Sequence, residues 1–434
     1  MSAVKKTDAR RPRPNLYESE PPGTDTRRAA LALLDAVLRK GLPLEAAGSA
    51  TARLTRPDDK AFALAIASEA LRRLPDLDAL IDSATQRNLP DDARARNVLR
   101  IALVQALRMG TPPHAAISTA LPMVESGPRR LVHGVFGALM RREALLPEVP
   151  TLPLPVALRW EKAWGPQLVA DAALAIAEPP PLDLCFQSDQ PPQGLEGISL
   201  LPGHLRLPRA GAIADVPGYS EGQWWVQDIS AQMPARLLGE GKGRTALDLC
   251  AAPGGKTMQL AAAGFKVTAV DSSETRLERV RENLARTRLE AALIAADVMT
   301  WQPKEQVDAI LLDAPCSATG IFRRHPDVLH RVRPSAIAEL AEAQKAMLLR
   351  AADWLKPGGT LVYSVCSLEP QEGEQVAEHF LASRDDYEAY PVASPELPVA
   401  RDADAPANMR CWPGAYPDAG GADGFFIGRF RHRG

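Results

Sequence analysis

Apolar residues recur at helical spacing through the first third of the chain. The segment 26–38 places alanine, leucine and valine side chains along one face, and Gly41 follows it as a stop signal. The same spacing predicts further helices at 60–67, at 93–109, after Pro113 and at 130–142. The alternation typical of a strand is missing between these segments. We therefore predict an all-helical domain over residues 25–145.

Beyond Thr245 the pattern changes to short apolar runs that alternate with helical segments. Strands are predicted at 246–249, 267–270, 292–295, 309–312 and 360–363, and helices at 256–263, 274–287 and 335–355. Such alternation is typical of a doubly wound parallel sheet. Two last apolar runs, 388–392 and 425–431, predict an antiparallel hairpin at the sheet edge. The chain is thus predicted to be multidomain, with an α/β Rossmann-like domain over residues 236–434.

The segments before and between these two domains have a different composition. Residues 146–235 are rich in proline and contain one long helical pattern, 156–177, followed by short β-like pieces. We predict a linker and a small α/β lead-in module there. Residues 1–24 are polar and basic, which predicts a disordered arm.

The overall composition is that of a globular protein with several cores. Of 434 residues, 46% are hydrophobic and 24% are charged, and no apolar run approaches the length of a membrane span. The N-terminus has no apolar core of a signal peptide. Five scattered cysteines do not suggest a disulfide framework, so we expect a cytoplasmic protein with reduced thiols. We expect neither membrane association nor a bound metal.

The net charge of −2 conceals an asymmetry along the chain. Residues 1–150 carry 23 lysines and arginines against 17 acidic residues, so the rest of the chain is acidic. A basic N-terminal part would suit a polyanion such as a nucleic acid. A solvated helical surface that happens to be rich in arginine explains the balance slightly better on this count alone.

Two cysteines lie just beyond predicted strands. Cys316 follows the strand 309–312, and Cys366 follows the strand 360–363. In open parallel sheets, ligands bind at the carboxyl ends of the strands. A single cysteine at such a position is more often a small buried apolar residue. Two thiols, one of them close to Asp313, indicate nucleophilic chemistry instead.

The turn after the first strand, 248–257, has the features of a ligand-binding loop. Gly254 and Gly255 let the backbone approach a ligand closely, just before the N-terminus of a helix. The spacing matches neither the dinucleotide-binding fingerprint nor the phosphate-binding loop of nucleotide hydrolases. A glycine pair alone also fits an ordinary loop.

Acidic residues at the next two strand ends favour a nucleoside cofactor. Asp271 is placed to accept hydrogen bonds from both ribose hydroxyls, and Asp297 to contact an adenine amino group. Without a pyrophosphate fingerprint, the cofactor that fits is S-adenosylmethionine. The predicted cofactor-binding residues are Cys250, Ala251, Ala252, Pro253, Gly254, Gly255, Lys256, Asp271, Asp297 and Asp313.

Three motifs in this order resemble those of the RNA cytosine-5 methyltransferases. They are the segments 248–257, 313–317 and 365–367, and the resemblance covers roughly residues 220–434. It implies a class I S-adenosylmethionine-dependent methyltransferase fold. The family usually has threonine before the second cysteine. Here Val365 removes one possible hydroxyl hydrogen bond.

The helical domain carries a second resemblance. Segments 98–103, 113–117 and 131–136 resemble the NusB-like RNA-binding fold, with His133 where that pattern usually has asparagine. A NusB-like domain ahead of such a catalytic domain resembles the Sun/Fmu-type 16S ribosomal RNA methyltransferase B family. In that setting the basic balance of residues 1–150 is better interpreted as an RNA-binding surface.

The resemblance implies a role for each residue of the second and third motifs. Cys366 is the nucleophile that adds to carbon 6 of cytosine and so makes carbon 5 reactive. Asp313 contacts ring nitrogen N3 as negative charge develops. Cys316 takes part in product release.

Other roles are hypotheses from the residue types alone. Lys256 would stabilise negative charge near the target base, although a lysine at a helix start needs no such role. Arg323, Arg324 and His325 would contact RNA phosphates.

The implied substrate is 16S ribosomal RNA, either naked or in a partly assembled small subunit. The family expectation is 5-methylcytosine at cytosine 967. The base must leave its stack to enter such a pocket, so a single-stranded or loop cytosine is expected.

Three alternatives remain open. The substrate is transfer RNA or another ribosomal site, or the chain is a non-catalytic RNA-binding factor in ribosome assembly. A DNA cytosine-5 enzyme is less favoured, because those enzymes resemble a single Pro-Cys nucleophile and would not need Cys366.

Overall fold

The computed structural model describes residues 20–192, 194–208, 211–392 and 408–434. The described chain forms two compact units. The first contains the described residues up to Lys40, with Glu45–Ala70 and Asp76–Leu146, and the second contains Gly41–Leu44, Leu71–Pro75 and what is described from Pro147 onward. Most of the predicted basic arm, up to residue 19, lies outside the described residues.

The first unit is helical, as predicted. Helices α1 to α6 lie at Thr24–Leu38, Pro57–Arg72, Leu74–Ser83, Arg94–Leu107, Pro113–Ala120 and Ser126–Arg141. Helix α3 was not among the predicted helices. Pro75 lies in its first turn, where the missing N–H of proline costs no hydrogen bond.

Helix α4 is buried along most of its length and contains two internal cations. Arg96 and Arg100 are only 1% and 2% exposed. Nη2 of Arg96 lies 2.5 Å from a carboxylate oxygen of Asp82, and Nη2 of Arg100 lies 2.7 Å from one of Asp78. Two of the 23 lysines and arginines counted in residues 1–150 are therefore paired inside the fold.

The second unit begins with two helices, α7 (Leu154–Trp164) and α8 (Pro166–Ile176). The prediction of one helix over 156–177 is wrong, because Gly165 adopts a positive φ of 81° and Pro166 starts a new helix. A small antiparallel sheet follows in the order β2-β1-β3. Its strands are Leu182–Phe186 (β1), His204–Leu207 (β2) and Trp224–Val226 (β3), with helix α9 after them at Ile229–Arg236.

The residues predicted to be a linker pack against the α/β domain. The indole N–H of Trp160 donates to Glu369 at 3.0 Å, and that of Trp164 donates to the carbonyl of Leu368 at 2.8 Å. Arg159 binds both carboxylate oxygens of Glu369. Helix α7 is therefore part of the scaffold that holds the loop after Cys366.

The large sheet of this unit has five parallel strands in the order β6-β5-β4-β7-β8. The strands are Thr245–Leu249 (β4), Lys266–Asp271 (β5), Ala292–Ala295 (β6), Val307–Asp313 (β7) and Leu355–Val365 (β8). Helices α10 to α14 lie at Gly255–Ala262, Glu274–Thr287, Val328–Arg331, Pro334–Ala352 and Glu374–Ser383. In the part of the chain that the structure describes, no helix has the length and apolarity of a membrane span.

Three antiparallel strands extend this sheet beyond β8. They are Tyr387–Ala389 (β9), Asn408–Cys411 (β10) and Phe425–His432 (β11). The predicted pairing of the last two apolar runs is confirmed, since β9 pairs with β11. Their predicted place at the sheet edge is wrong for β11, which lies between β8 and β10. The nearly continuous burial of β11 is consistent with this interior position. Because β11 pairs antiparallel with β8, the sheet is mixed and not purely parallel.

We expect Trp160→Phe to destabilise the second unit by about 2 kcal/mol, since it removes an indole donor from a buried carboxylate. Leu158→Ala, on an exposed position of the same helix, is the control, with an expected change within about 0.5 kcal/mol. The midpoint of urea unfolding, followed by circular dichroism, measures both. Equal midpoints for Trp160→Phe and the wild type would contradict the proposed scaffold role.

Candidate active site

The two predicted thiols meet at the carboxyl ends of β7 and β8. These strands pair in parallel, with Asp313 opposite Ser364, so the chain leaves both strands at the same level. The sulfur atoms of Cys316 and Cys366 lie 3.4 Å apart. Both side chains are half-buried, which allows a ligand to reach them.

The contact between the sulfurs affects Cys316 most clearly. Its pKa is raised well above the ordinary value by the hydrogen bond with Cys366 and by burial. The Cys316 thiol therefore keeps its proton at neutral pH and is able to donate it toward the sulfur of Cys366.

Lys256 and Asp313 form an ion pair beside the thiols. The ammonium group of Lys256, in the first turn of α10, donates to Asp313 at 2.7 Å, and the hydroxyl of Ser364 donates to the other carboxylate oxygen at 2.8 Å. Burial is the largest single effect and lowers the pKa of Lys256, but the charge and hydrogen bond of Asp313, together with the nearby Cys366 and Asp248, raise it overall. Lys256 is therefore a charged member of the site and more than a surface lysine at a helix start.

Asp248 is a site residue that the sequence analysis did not select. It lies on β4, is fully buried, and accepts a hydrogen bond from the hydroxyl of Thr257 at 2.5 Å. Its other oxygen is buried without a hydrogen-bond partner in the described structure. Burial raises the pKa of Asp248 to about 7. The sequence signal that could have identified Asp248 is the presence of an acidic residue within the otherwise apolar run 246–249.

Asp271 lies at the end of β5, as predicted, but its carboxylate already has protein partners. It accepts hydrogen bonds from the backbone N–H of Ala252 at 3.1 Å and of Ser273 at 3.0 Å. Arg276 lies 3.3 Å from one of its oxygens. Asp271 thus fixes the turn after β4 in place, and a carboxylate oxygen has room for a second hydrogen bond.

Asp297 differs from Asp271 in its surroundings. It follows β6, is exposed, and accepts a hydrogen bond from the N–H of Met299 at 2.8 Å. Its predicted contact with an adenine group stays a prediction.

The turn from Cys250 to Gly255 has an unusual backbone. Cys250 has a φ of 64° and Gly254 a φ of 102°, and a Cβ atom at Gly254 would lie 2.9 Å from the side chain of Val280. Burial and the nearby charges of Asp313 and Asp271 raise the pKa of Cys250 to about 12. The turn therefore lies in a region of concentrated negative charge.

The predicted RNA contact at Arg323 is contradicted by its burial. Arg323 is 1% exposed, donates to the carbonyl of Gly420 and lies 3.5 Å from Asp423. Arg324 is paired with Asp228 at 2.7 Å and with Asp423 at 3.1 Å. The sequence could not show these acids, which lie about a hundred residues away on either side.

A cavity of about 450 Å³ opens between the turn and the lead-in module. Its lining includes Pro253, Gly255, Lys256, Asp313, Arg324 and His325. A larger cavity, of about 1340 Å³, lies at the amino ends of the strands, where Thr245, Lys266, Ala292 and Val307 contribute to its lining. Because such sheets bind ligands at the carboxyl ends, we assign the functional site to the smaller cavity.

The site fits S-adenosylmethionine by size and by charge. A volume of 450 Å³ is within the usual range for a small-molecule pocket. The cofactor carries a sulfonium cation and an ammonium group, and it lacks phosphates. Asp313 lines this cavity and supplies complementary negative charge, and a buried oxygen of Asp248, which is not among the lining residues, is an unused acceptor. Among the described residues, no group of three or more His, Cys, Asp or Glu side chains is arranged to hold a metal.

The fold and the site together define an S-adenosylmethionine-dependent methyltransferase. A model of the 16S rRNA methyltransferase RsmB/F family matches residues 235–431, and a model of the NusB family matches residues 24–140. The predicted NusB-like domain is thereby confirmed.

Curated relatives extend the match over nearly the whole chain. Ribosomal RNA small subunit methyltransferase B from Klebsiella pneumoniae (strain 342) is 34% identical over 409 residues, which cover 88% of this chain and 95% of the relative. The protein of the same name from Cronobacter sakazakii is 32% identical over 433 residues, with 93% and 97% covered. The chain belongs to the ribosomal RNA small subunit methyltransferase B family.

Solved structures support the fold. The crystal structure of PH0851 matches with a TM-score of 0.73 at 21% identity and covers 95% of this chain and 99% of that chain. A methyltransferase homologue from Pyrococcus horikoshii matches with a TM-score of 0.53 at 26% identity, covering 64% and 94%.

We expect Asp248→Asn to flatten the dependence of thermal stability on pH. The folded-state pKa of about 7 exceeds the ordinary value of 3.8, so the stabilisation by Asp248 is present below about pH 4 and is lost as pH rises through 7. The wild-type Tm should therefore fall more between pH 5 and pH 8 than that of the variant.

Asp308→Asn is the matched control for this measurement. The pKa of Asp308 is lowered to about 2, chiefly by its hydrogen bond with Lys356, so its stabilisation is lost only below pH 4. This variant should lower the Tm equally at pH 5 and pH 8. Parallel Tm curves for the wild type and Asp248→Asn would show that Asp248 ionises like an exposed carboxyl.

Proposed function

We propose that this chain forms 5-methylcytosine in 16S ribosomal RNA through a covalent bond between Cys366 and the target base, with cytosine 967 as the expected position. The observation that carries the proposal is the pair of sulfurs 3.4 Å apart beside the Lys256–Asp313 ion pair. A cytosine-5 mechanism needs a thiolate, a group that acts on the ring nitrogen and a second group for release. Cys366, Asp313 and Cys316 are our candidates for these three roles, in that order.

Cys366 attacks carbon 6 of cytosine, and the new S–C bond moves an electron pair toward N3 and carbon 5. The Cys316 thiol, 3.4 Å away, can donate a hydrogen bond to the attacking sulfur. Asp313 contacts N3, and the positive charge of Lys256 offsets the negative charge that develops there.

S-adenosylmethionine supplies the methyl group for carbon 5 when it is bound. The residues that would hold it are those of the turn from Cys250 to Lys256, with Asp271, Asp297 and Asp313. Release of the product then requires transfer of the carbon-5 proton to water and cleavage of the S–C bond, whose electron pair returns to the Cys366 sulfur. We assign Cys316 to this cleavage, in which its thiol donates a hydrogen bond to the departing sulfur.

The NusB domain supports an RNA substrate, because its family resemblance is to an RNA-binding fold and its part of the chain has the basic balance. Arg324 and His325, which line the cavity, are the candidates left for contact with the RNA near the target base. The substrate is free 16S RNA or a partly assembled small subunit, and it presents an unstacked cytosine.

Cys366→Ala is expected to abolish methyl transfer, because no thiolate remains to activate carbon 5. Cys316→Ala is expected to permit attack and to accumulate an RNA–protein adduct that survives denaturing electrophoresis. Cys185→Ala, which removes a buried thiol from β1, is the control and should keep wild-type activity. Full methylation by Cys366→Ala would show that the nucleophile is wrongly assigned.

Bisulfite sequencing of ribosomal RNA tests the substrate. Cells lacking the gene should lose one 5-methylcytosine from 16S RNA, and the wild-type gene should restore it where Cys366→Ala does not. An unchanged 16S profile together with a lost transfer RNA mark would contradict the proposed substrate.

A further inference from the structure

We propose that Glu372 is a positioning residue for catalysis. It holds together the two catalytic loops, which follow β7 and β8 and carry Cys316 and Cys366. The inference rests on the proposed function, because it concerns the reaction of those two thiols. Glu372 was not selected by the sequence analysis, and it lies six residues after Cys366 in the loop that precedes α14.

The carboxylate of Glu372 joins the residues that directly follow the two cysteines. The backbone N–H of Ser317 donates to Oε1 at 2.8 Å, and the Ser317 hydroxyl donates to Oε2. The hydroxyl of Ser367 donates to the same Oε2 at 2.5 Å. A single side chain thus accepts hydrogen bonds from both catalytic loops, one residue away from each sulfur.

A second set of hydrogen bonds fixes Glu372 itself. The hydroxyl of Tyr363 donates to the backbone carbonyl of Glu372 at 2.6 Å. The side-chain amide of Gln344, on α13, donates to Oε1 at 3.2 Å and to the carbonyl of Pro315 at 2.8 Å. These side chains come from β8 and α13, so the carboxylate is held against rigid elements.

Because Glu372 is buried, losing any of these hydrogen bonds costs folding free energy. Glu372 is 0% exposed, and among the described residues no lysine, arginine or histidine nitrogen lies within ion-pair distance of it. Burial raises the pKa of Glu372, while the hydrogen bonds from Ser317 and Ser367 oppose that shift. Since hydrogen bonds alone compensate for desolvation, moving either loop away leaves a buried carboxylate with unsatisfied oxygens. The lowest-energy state is the one with both loops in place.

The consequence for catalysis is geometric. The 3.4 Å between the sulfurs depends on two loops that are about fifty residues apart in sequence. Without Glu372, the serine hydroxyls are free to rotate to other partners and the loops to drift apart. A misplacement of about 1 Å costs roughly 100-fold in rate. We therefore expect a loss of kcat with little change in cofactor binding.

Glu372→Ala tests this directly in the full-length protein. With small-subunit RNA as substrate, kcat should fall roughly 100-fold, and KM for S-adenosylmethionine should stay within about twofold. Glu372→Gln should recover most of the rate, because its amide oxygen accepts from the Ser317 N–H while its amide nitrogen donates to hydroxyls that rotate. In a Cys316→Ala background, Glu372→Ala should slow the accumulation of the covalent RNA adduct.

Glu369→Ala is the matched control for the loss of a buried carboxylate. Glu369 lies in the same loop and is 0% exposed, but it accepts from Arg159 and Trp160 on α7 and not from either catalytic loop's serine. We expect a loss of Tm similar to that of Glu372→Ala and a much smaller loss of kcat, because Glu369 anchors this loop to α7 while Glu372 continues to join Ser317 to Ser367.

Three outcomes would overturn the proposal: full kcat for Glu372→Ala, no recovery with Glu372→Gln, or an equal loss of kcat for Glu369→Ala at equal Tm. If Glu372→Ala does not fold, the double variant Ser317→Ala with Ser367→Ala replaces it, and its unchanged kcat would be equally decisive. A wild-type protein that neither methylates small-subunit RNA nor forms the adduct would contradict the proposed function itself.

Discussion

The parallel pairing of β7 with β8 is the contact on which the whole site depends. It places Asp313 opposite Ser364, so that the two loops after these strands start side by side. Because side chains alternate across a strand, a slip of one residue would turn one of these two side chains to the other face of the sheet. The contact between the sulfurs of Cys316 and Cys366 is thus a consequence of strand register.

Four carboxylates lie near the carboxyl ends of the parallel strands, and each has different partners that offset its negative charge. Asp313 has a cation, Lys256, whereas Asp271 has mainly backbone N–H donors. Asp248 keeps one oxygen without a partner, and Glu372 has only hydrogen bonds among the described residues. Each costs folding free energy that an apolar side chain would not. Such a concentration of carboxylates is typical of sites under functional constraint.

The sequence predicted those parts of the fold that depend on local pattern. Buried parallel strands are almost continuous apolar runs, so β4, β5 and β7 could be located to within two residues, whereas β8 begins five residues before its predicted start. The motif residues Cys316, Cys366, Lys256 and Asp313 do come together, as their positions at strand ends indicated. The helix break at Gly165 was readable from the following proline but was missed.

Features that depend on distant contacts could not be predicted in this way. The burial of Arg323 follows from acids far along the chain, and the interior position of β11 follows from pairing on both of its edges. Glu372 has the sequence context of an ordinary loop acid. Its importance becomes visible only when the loops carrying Ser317 and Ser367 are seen to converge on it.

The internal ion pairs of α4 have a consequence for the affinity of this chain for a polyanion. A cation contributes to RNA binding by displacing counterions from phosphates, and a cation sealed in the protein interior displaces none. Arg96 and Arg100 therefore add to the formal charge of the NusB domain but would add nothing to the ionic-strength dependence of binding to a polyanion. That dependence should be weaker than a count of lysines and arginines implies.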